Sequence, residues 1–385
     1  MAEVGLKQSV SFERAREMLS PEIFSDLVAE LPVAEGRRPV EAELVTLWVK
    51  PGRHFNVYYK LRFDDDRTVH AAAFLLSPDK AARVVRRATR RHVEKLARRG
   101  VCPHCATQRM AEDLVLQVFP IDYRLPTLAD CLRPKAVIRS SAGAIEAKEC
   151  VPVAYRPGIR CQIRIREKDG RVCYGKVAVE SRGAGRGYRL HETAYKALAA
   201  RDSFLRVAPP RAYLEPLGMA VVDGVEGTRY HDLLRSGDDV QDATSLVARA
   251  SFELHRLDVR WTDRTYNVTE EMALVASWVD LVSELYPDLS YGLRRWHEYL
   301  LIDPPPDCSA RAVLHRDFYD KQVLLDGDRP VLLDMDTVCA GDAELDVGNF
   351  RAHLYLRGLQ WGRDDRFVGL EHAFVRAYPG LLSER

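Results

Sequence analysis

The sequence predicts an α+β protein: small antiparallel sheets over its first 223 residues, helices over most of the remainder. Three observations carry this. Short β-branched runs separated by Pro-Gly and Asp-rich turns fill residues 43–76 and again 151–180. Helical periodicity takes over from Gly237 onward. One strand–loop–strand stretch, 311–337, interrupts those helices with a dense set of polar residues.

The elements follow in order. Ser11–Leu19 and Pro21–Val28 read as short helices. Glu43–Val49, Phe55–Phe63 and Thr68–Leu76 read as strands, parted by Pro51-Gly52 and by Asp64-Asp65-Asp66. A helix is expected from Asp79 to Arg99 and a strand from Leu114 to Phe119. The pattern then restarts. Val151–Tyr155, Cys161–Arg166 and Arg171–Glu180 are strands, parted by Pro157-Gly158 and Lys168-Asp169-Gly170. A helix over His191–Ala200 and a strand over Met219–Val222 close the second set. Helices are expected at Ala243–Leu257, Glu270–Leu285, Leu293–Leu301 and Asp346–Leu356, with Pro304-Pro305-Pro306 as a break.

The two sets align. Their Pro-Gly turns stand 106 positions apart, and the third strands match at an offset of 104. An internal duplication explains this, and it divides the chain into 1–142, 143–223 and 224–385. Lys176 stands mid-strand in the second copy, where a charge needs a partner, and Ala72 holds its place in the first.

The net charge of +1 conceals an excess of 13 positive charges over residues 1–217 and of 12 negative charges over 218–385. Such polarity suits an anion held in one half and a metal or cationic ligand in the other. No apolar run approaches the ~18 residues of a spanning helix. Met1–Phe24 lacks a signal-peptide core, so a cytoplasmic protein without membrane partners is expected. Most of the eight cysteines, Cys161, Cys173 and Cys339 among them, read as buried free thiols. Cys102-Pro103-His104-Cys105 lacks a second ligand pair and reads as a loop with two thiols. Lys80–Arg99 holds nine Lys/Arg and one Glu. Without interleaved aromatics it reads as a solvated helix face and not as a nucleic-acid site. Trp278, Tyr286, Tyr291, Trp296 and Tyr299 fall at helical spacing and read as core, or as lining for a substrate.

The chemistry concentrates in Val313-Leu314-His315-Arg316-Asp317, continued by Phe318 to Leu325, and in Val331-Leu332-Leu333-Asp334-Met335-Asp336. Apolar strands here lead into acids, so Asp317, Gln322 and Asp334 can converge at strand ends. Phosphoryl transfer needs such convergence: one carboxylate to take the proton of an acceptor hydroxyl, and hard oxygen donors for Mg²⁺. Asp317 fits the base, Gln322 and Asp334 the metal ligands, with Asp336 as a further ligand. His315 fits a brace for the catalytic loop.

This stretch resembles the motif of the aminoglycoside phosphotransferase and choline kinase superfamily. Gly341-Asp342-Ala343-Glu344-Leu345-Asp346 is similar to that family's following segment. The resemblance covers roughly residues 145–385. It implies a bilobal protein-kinase-like fold: a small antiparallel-sheet N-lobe, a mainly helical C-lobe, and ahead of them an extra N-lobe-like domain. It implies Asp317 as catalytic base, Asp334 as metal acid, and Asp346 as the cap of its own helix. Lys176 would contact the ATP phosphates with Glu192 as its partner. Val225-Glu226-Gly227 would be the hinge that meets adenine. Arg156, Gly158 and Arg160 would cover the phosphates. The chain departs from the family in having Gln322 where Asn is usual, and a single glycine in the covering loop. Arg182-Gly183-Ala184-Gly185-Arg186-Gly187 is either an added anion nest or a flexible connector.

The implied activity is transfer of the ATP γ-phosphate, with Mg²⁺, to a hydroxyl of a small polar molecule: an amino sugar, aminoglycoside, sugar or amino alcohol. The alternative is a weak or inactive nucleotide-binding regulatory module. The sequence is silent on oligomeric state.

Overall fold

The computed structural model describes residues 15, 17–50, 54–87, 107–179, 184–236, 238–302 and 312–380. The Pro51-Gly52 turn, the Cys102/Cys105 pair, the Pro304–Pro306 break, most of Ser11–Leu19 and the second half of the basic helix lie outside them.

In chain order the first elements are α1 (Pro21–Ala29), β1 (Glu41–Lys50), β2 (His54–Arg62), β3 (Thr68–Leu75), α2 (Pro78–Arg87), β4 (Thr107–Arg109), β5 (Leu114–Val118), α3 (Leu128–Cys131) and α4 (Pro134–Ser140). Next come β6 (Ala147–Arg156), β7 (Arg160–Glu167), β8 (Val172–Ala178), α5 (Ala184–Ala200), β9 (Arg206–Val207), β10 (Pro210–Leu214) and β11 (Met219–Asp223). The remainder holds β12 (Thr228–Arg229), α6 (Tyr230–Ser236), α7 (Gln241–His255), β13 (Thr265–Tyr266), α8 (Val268–Leu285) and α9 (Pro287–Ile302). It ends with β14 (Ala312–Leu314), β15 (Val323–Asp326), β16 (Arg329–Leu332), β17 (Cys339–Gly341), α10 (Ala343–Trp361) and α11 (Asp364–Ala377). The protein is thus α+β with largely antiparallel sheets. Its chain forms two compact units, Met1–Ala184 with Tyr213–Ala220, and Gly185–Ala212 with Val221–Arg385.

The two five-stranded sheets share one topology, β1-β2-β3-β5-β4 and β6-β7-β8-β11-β10. Their second hairpins match residue for residue. Arg62 pairs with Thr68 and Arg166 with Val172, an offset of 104 on both strands. Both turns close through the same bonds: Phe63 N–H to Arg67 O, and Glu167 N–H to Arg171 O. In each an aspartate, Asp65 or Asp169, accepts from the backbone and side chain of the arginine two residues on. In each the residue just before that arginine is left-handed, Asp66 or Gly170.

The sheets differ in what covers them. One face of the first packs Val57, Tyr59, Leu61 and Leu116 with Phe24 and Val28 of α1. Its other face packs Tyr58, Ala72, Phe74 and Val115 with Ala81 and Val84 of α2. In β7 and β8 burial alternates instead, with Cys161, Ile163, Ile165, Cys173 and Val177 buried. Lys176 stands half-buried on the opposite face, across from Gln162.

The second unit is built on one large core. Val247 and Leu254 of α7, Phe350 and Leu354 of α10, and Phe367 and Phe374 of α11 pack with Phe318, Val323 and Leu332. Two small sheets, β12-β15-β16-β9 and β13-β17-β14, carry the polar loops. Gly341 has a packing reason to be glycine: a Cβ there would stand 2.5 Å from the Tyr266 carbonyl oxygen and 2.5 Å from a Leu314 methyl. Gly341→Ala is therefore expected to destabilise the protein by about 2 kcal/mol, measured by denaturant unfolding.

Several expectations need correction. Of the 182–187 segment, Ala184–Gly187 form the first turn of α5 and so are not a flexible connector, while Arg182 and Gly183 lie outside the described residues. The α8 and α9 aromatics are not core: Tyr291 is 78% and Tyr299 71% exposed, and Trp278, Tyr286 and Trp296 are exposed too. The segments α3, α4, α6, α11, β4, β9 and β10 were without a clear sequence signal, most being too short to show a period. Cys161, Cys173 and Cys339 are buried, as expected.

Candidate active site

Leu314 ends β14, and the chain turns through His315-Arg316-Asp317 before β15 begins at Val323. Arg316 takes a left-handed backbone, φ 65°, a conformation that costs a non-glycine residue of order 1 kcal/mol unless its surroundings fix it. Asp346 supplies that fixing. Its buried carboxylate accepts the His315 N–H at 2.6 Å and the Arg316 N–H at 2.8 Å. His255, buried on α7, donates to the same carboxylate at 3.2 Å. Asp346 therefore anchors the loop and does not cap its helix. That role falls to Asp342, which accepts the Glu344 N–H.

His315 is fully buried. Its Nε2–H donates to the Leu333 carbonyl at 2.7 Å, and its Nδ1 accepts the Asp317 N–H at 3.4 Å. It ties the loop to the strand that delivers Asp334, so it positions and does not face a substrate. Thr337 Oγ1 donates to the His315 carbonyl, and Asn349 donates to that of Phe318. The Arg316 guanidinium lies 3.6 Å from the centroid of the Tyr266 ring.

Asp317 thus sits, half-buried, on a loop held from several sides. Gln322 lies five residues on, at the end of a short 3₁₀ turn, and its Nε2 donates to Asp317 Oδ2 at 3.0 Å. This leaves the Gln322 amide oxygen as a separate oxygen donor. Asp334 follows β16 with φ 58°, and Asp336 lies two residues beyond. The Asp336 carboxylate stands against Gly187 of α5, where a Cβ would come within 2.7 Å. Arg186 spans the same place, donating to the Asp336 carbonyl and pairing with Asp263. That pairing holds the Asp263 carboxyl below its usual value. Among the described residues no three His, Cys, Asp or Glu side chains gather around one point.

A second buried network backs the loop. Asp320 is buried and accepts from Arg357 at 3.0 and 3.1 Å, and from His231 Nδ1. Sequence reading missed Arg357, His231, His255 and Asn349. The one available signal was a charged Arg357 set among apolar neighbours, Leu354, Leu356 and Leu359.

The other expected residues fall in both units. Lys176 belongs to the first unit and Glu192 to the second, where Glu192 pairs with Lys196 at 3.2 Å. Glu226 is exposed in an extended segment before β12, and Gly227 packs against the Leu325 carbonyl. Arg156 and Arg160 pair across the β6–β7 turn, and the Arg156 guanidinium lies 5.8 Å from the Trp48 ring centroid. Gly158 is buried and left-handed, and its N–H is donated to Asp122 at 2.6 Å. It makes the turn possible but offers no free donor to a phosphate.

A family model described as the phosphotransferase enzyme family matches residues 188–381, half of the chain. The match includes Asp317, Gln322, Asp334 and Asp346 and begins after Lys176. No curated protein matches. Among solved structures, the macrolide 2′-phosphotransferase MphH from Brachybacterium faecium is 16% identical, with 65% of this chain and 84% of that one covered and a TM-score of 0.43. The aminoglycoside phosphotransferase APH(3″)-Id from Streptomyces rimosus is 20% identical, with 64% and 92% covered and a TM-score of 0.43. Taken with the pinned His-Arg-Asp loop, the family match places this chain in the phosphotransferase enzyme family, within the aminoglycoside phosphotransferase and choline kinase-like superfamily that its motifs resemble.

Proposed function

We propose that the protein transfers the γ-phosphate of ATP to a hydroxyl of a small polar molecule, with Asp317 as the base. The observation that carries this is the Asp317 carboxylate, fixed by Gln322 on a loop anchored by Asp346. A carboxylate so held can orient a hydroxyl and accept its proton as the oxygen bonds to phosphorus. Asp334, Asp336 and the Gln322 oxygen would hold Mg²⁺. This sparse oxygen set fits an ion that usually keeps waters and substrate phosphates as its other ligands. When bound, the ion would neutralise phosphate charge.

Lys176 would bind the phosphates and Glu192 would orient it. Arg156 and Arg160 would cover the phosphates, and Glu226 would stand in the hinge. The acidic C-terminal half favours a cationic acceptor, an aminoglycoside, amino sugar or amino alcohol, over an anionic one. We place the reaction in the cytoplasm. Among the described residues no helix is long and apolar enough to cross a membrane.

The test is ADP release from MgATP over a panel of these acceptors and neutral sugars. Acceptor-dependent release is expected. ATP binding without any release, and without slow hydrolysis, would favour the regulatory module instead. Lys176→Ala should raise the KM for ATP about tenfold or more, since a charge-assisted phosphate contact is lost.

A further inference from the structure

Helix α2 sets Lys80, Arg83 and Arg87 on one face, at i, i+3 and i+7. These three side chains line a cavity of about 450 Å³ within the first unit, a size suited to a small organic ligand. Tyr123, Leu125 and Pro126 form an apolar part of its wall. The Lys80 ammonium lies 5.8 Å from the Tyr123 ring centroid.

Among the described residues none of these cations, nor Arg124 beside them, forms an ion pair. Among the described residues of the wall the one carboxylate is already committed. Asp122 is buried and accepts the N–H groups of Gly158, Arg124 and Leu125 and the Tyr155 hydroxyl. The Gln117 amide is likewise engaged, with Thr107 and the Tyr123 N–H. Lys80 is half-buried, and its pKa is lowered by that burial and by Arg124 and Arg83. Arg83 and Arg87 are exposed at its rim, and the half-buried Lys80 stands deeper. Cations gathered at a cavity, with no counter-charge among the described residues, leave a place for an anion.

We propose that this cavity binds a small organic phosphate, its phosphate held by Lys80, Arg83 and Arg87 and its apolar body against Tyr123, Leu125 and Pro126. The site is independent of the proposed phosphotransfer. It shares Asp122 with the β6–β7 turn.

Pyridoxal 5′-phosphate is a direct probe. Its aldehyde condenses with a lysine amine, releasing water, and borohydride reduces the imine to an amine that peptide mass spectrometry locates. Lys80 should be labelled ahead of Lys60, Lys135 and Lys148, and excess pyrophosphate should suppress it. The double variant Arg83→Ser, Arg87→Ser should lower labelling at Lys80 at least about fivefold and leave the other lysines unchanged. Pyridoxal, which lacks the phosphate, should show a much weaker preference for Lys80, set only by its lowered pKa. Lys80 labelled no faster than Lys135, equally well in the double variant, or as selectively by pyridoxal would overturn the site. Protection of Lys176 by MgATP in the same digest reads the phosphotransfer proposal separately.

Discussion

Asp317→Asn is expected to lower turnover about 10³-fold while ATP affinity stays within about twofold of the parent. Asparagine matches aspartate in size, and its carbonyl oxygen can still accept from Gln322 Nε2. The anchors of the loop lie elsewhere, on Asp346, His315, Thr337 and Asn349, so its path should not change. What disappears is an oxygen that can take a proton from the acceptor hydroxyl. Steady-state ADP release on the best acceptor, beside calorimetric ATP binding, separates the two effects. Unchanged turnover would move the base to another residue. A collapse of ATP affinity would show that Asp317 acts chiefly on nucleotide.

Asp346→Ala is expected to cost about 3–5 kcal/mol of stability, and activity with it. Removing the carboxylate leaves the His315 and Arg316 N–H groups without their partner, and His255 loses its acceptor. Each orphaned buried donor costs roughly 1–3 kcal/mol. The left-handed Arg316 backbone loses the contact that holds it. Denaturant unfolding monitored by tryptophan fluorescence should report the loss. A Asp342→Ala control removes only a helix cap and should cost about 1 kcal/mol. Equal losses in the two variants would mean that Asp346 is no more than a helix acid.

Much of the site was legible because its chemistry is local in sequence. Asp317 and Gln322 are five residues apart, and the strands that present them are short apolar runs on either side. The likeness of the two sheets was legible for a similar reason, since their third strands match at one offset of 104, which the hairpin registers repeat. The anchor was not. Asp346 reaches its partners across about 30 residues, and it lies in the first turn of α10, where an acid already has a satisfactory local explanation. The α8 and α9 aromatics misled for the opposite reason. Helical spacing reports that residues share a face, and it carries no statement of what that face meets. Gly158 was misread similarly: its turn was visible, but Asp122, 36 residues away, was not visible as the acceptor of its N–H.

The contrast between Ala72 and Lys176, which hold matching registers in the two sheets, extends to what surrounds each position. Ala72 lies beneath Ala81 and Val84, with no room for a longer side chain. A lysine at position 72 would carry its charge into that apolar cluster, at a cost that the half-buried Lys176 avoids. Packing of this kind confines a strand to scaffolding, whatever chemistry its counterpart in the other sheet performs.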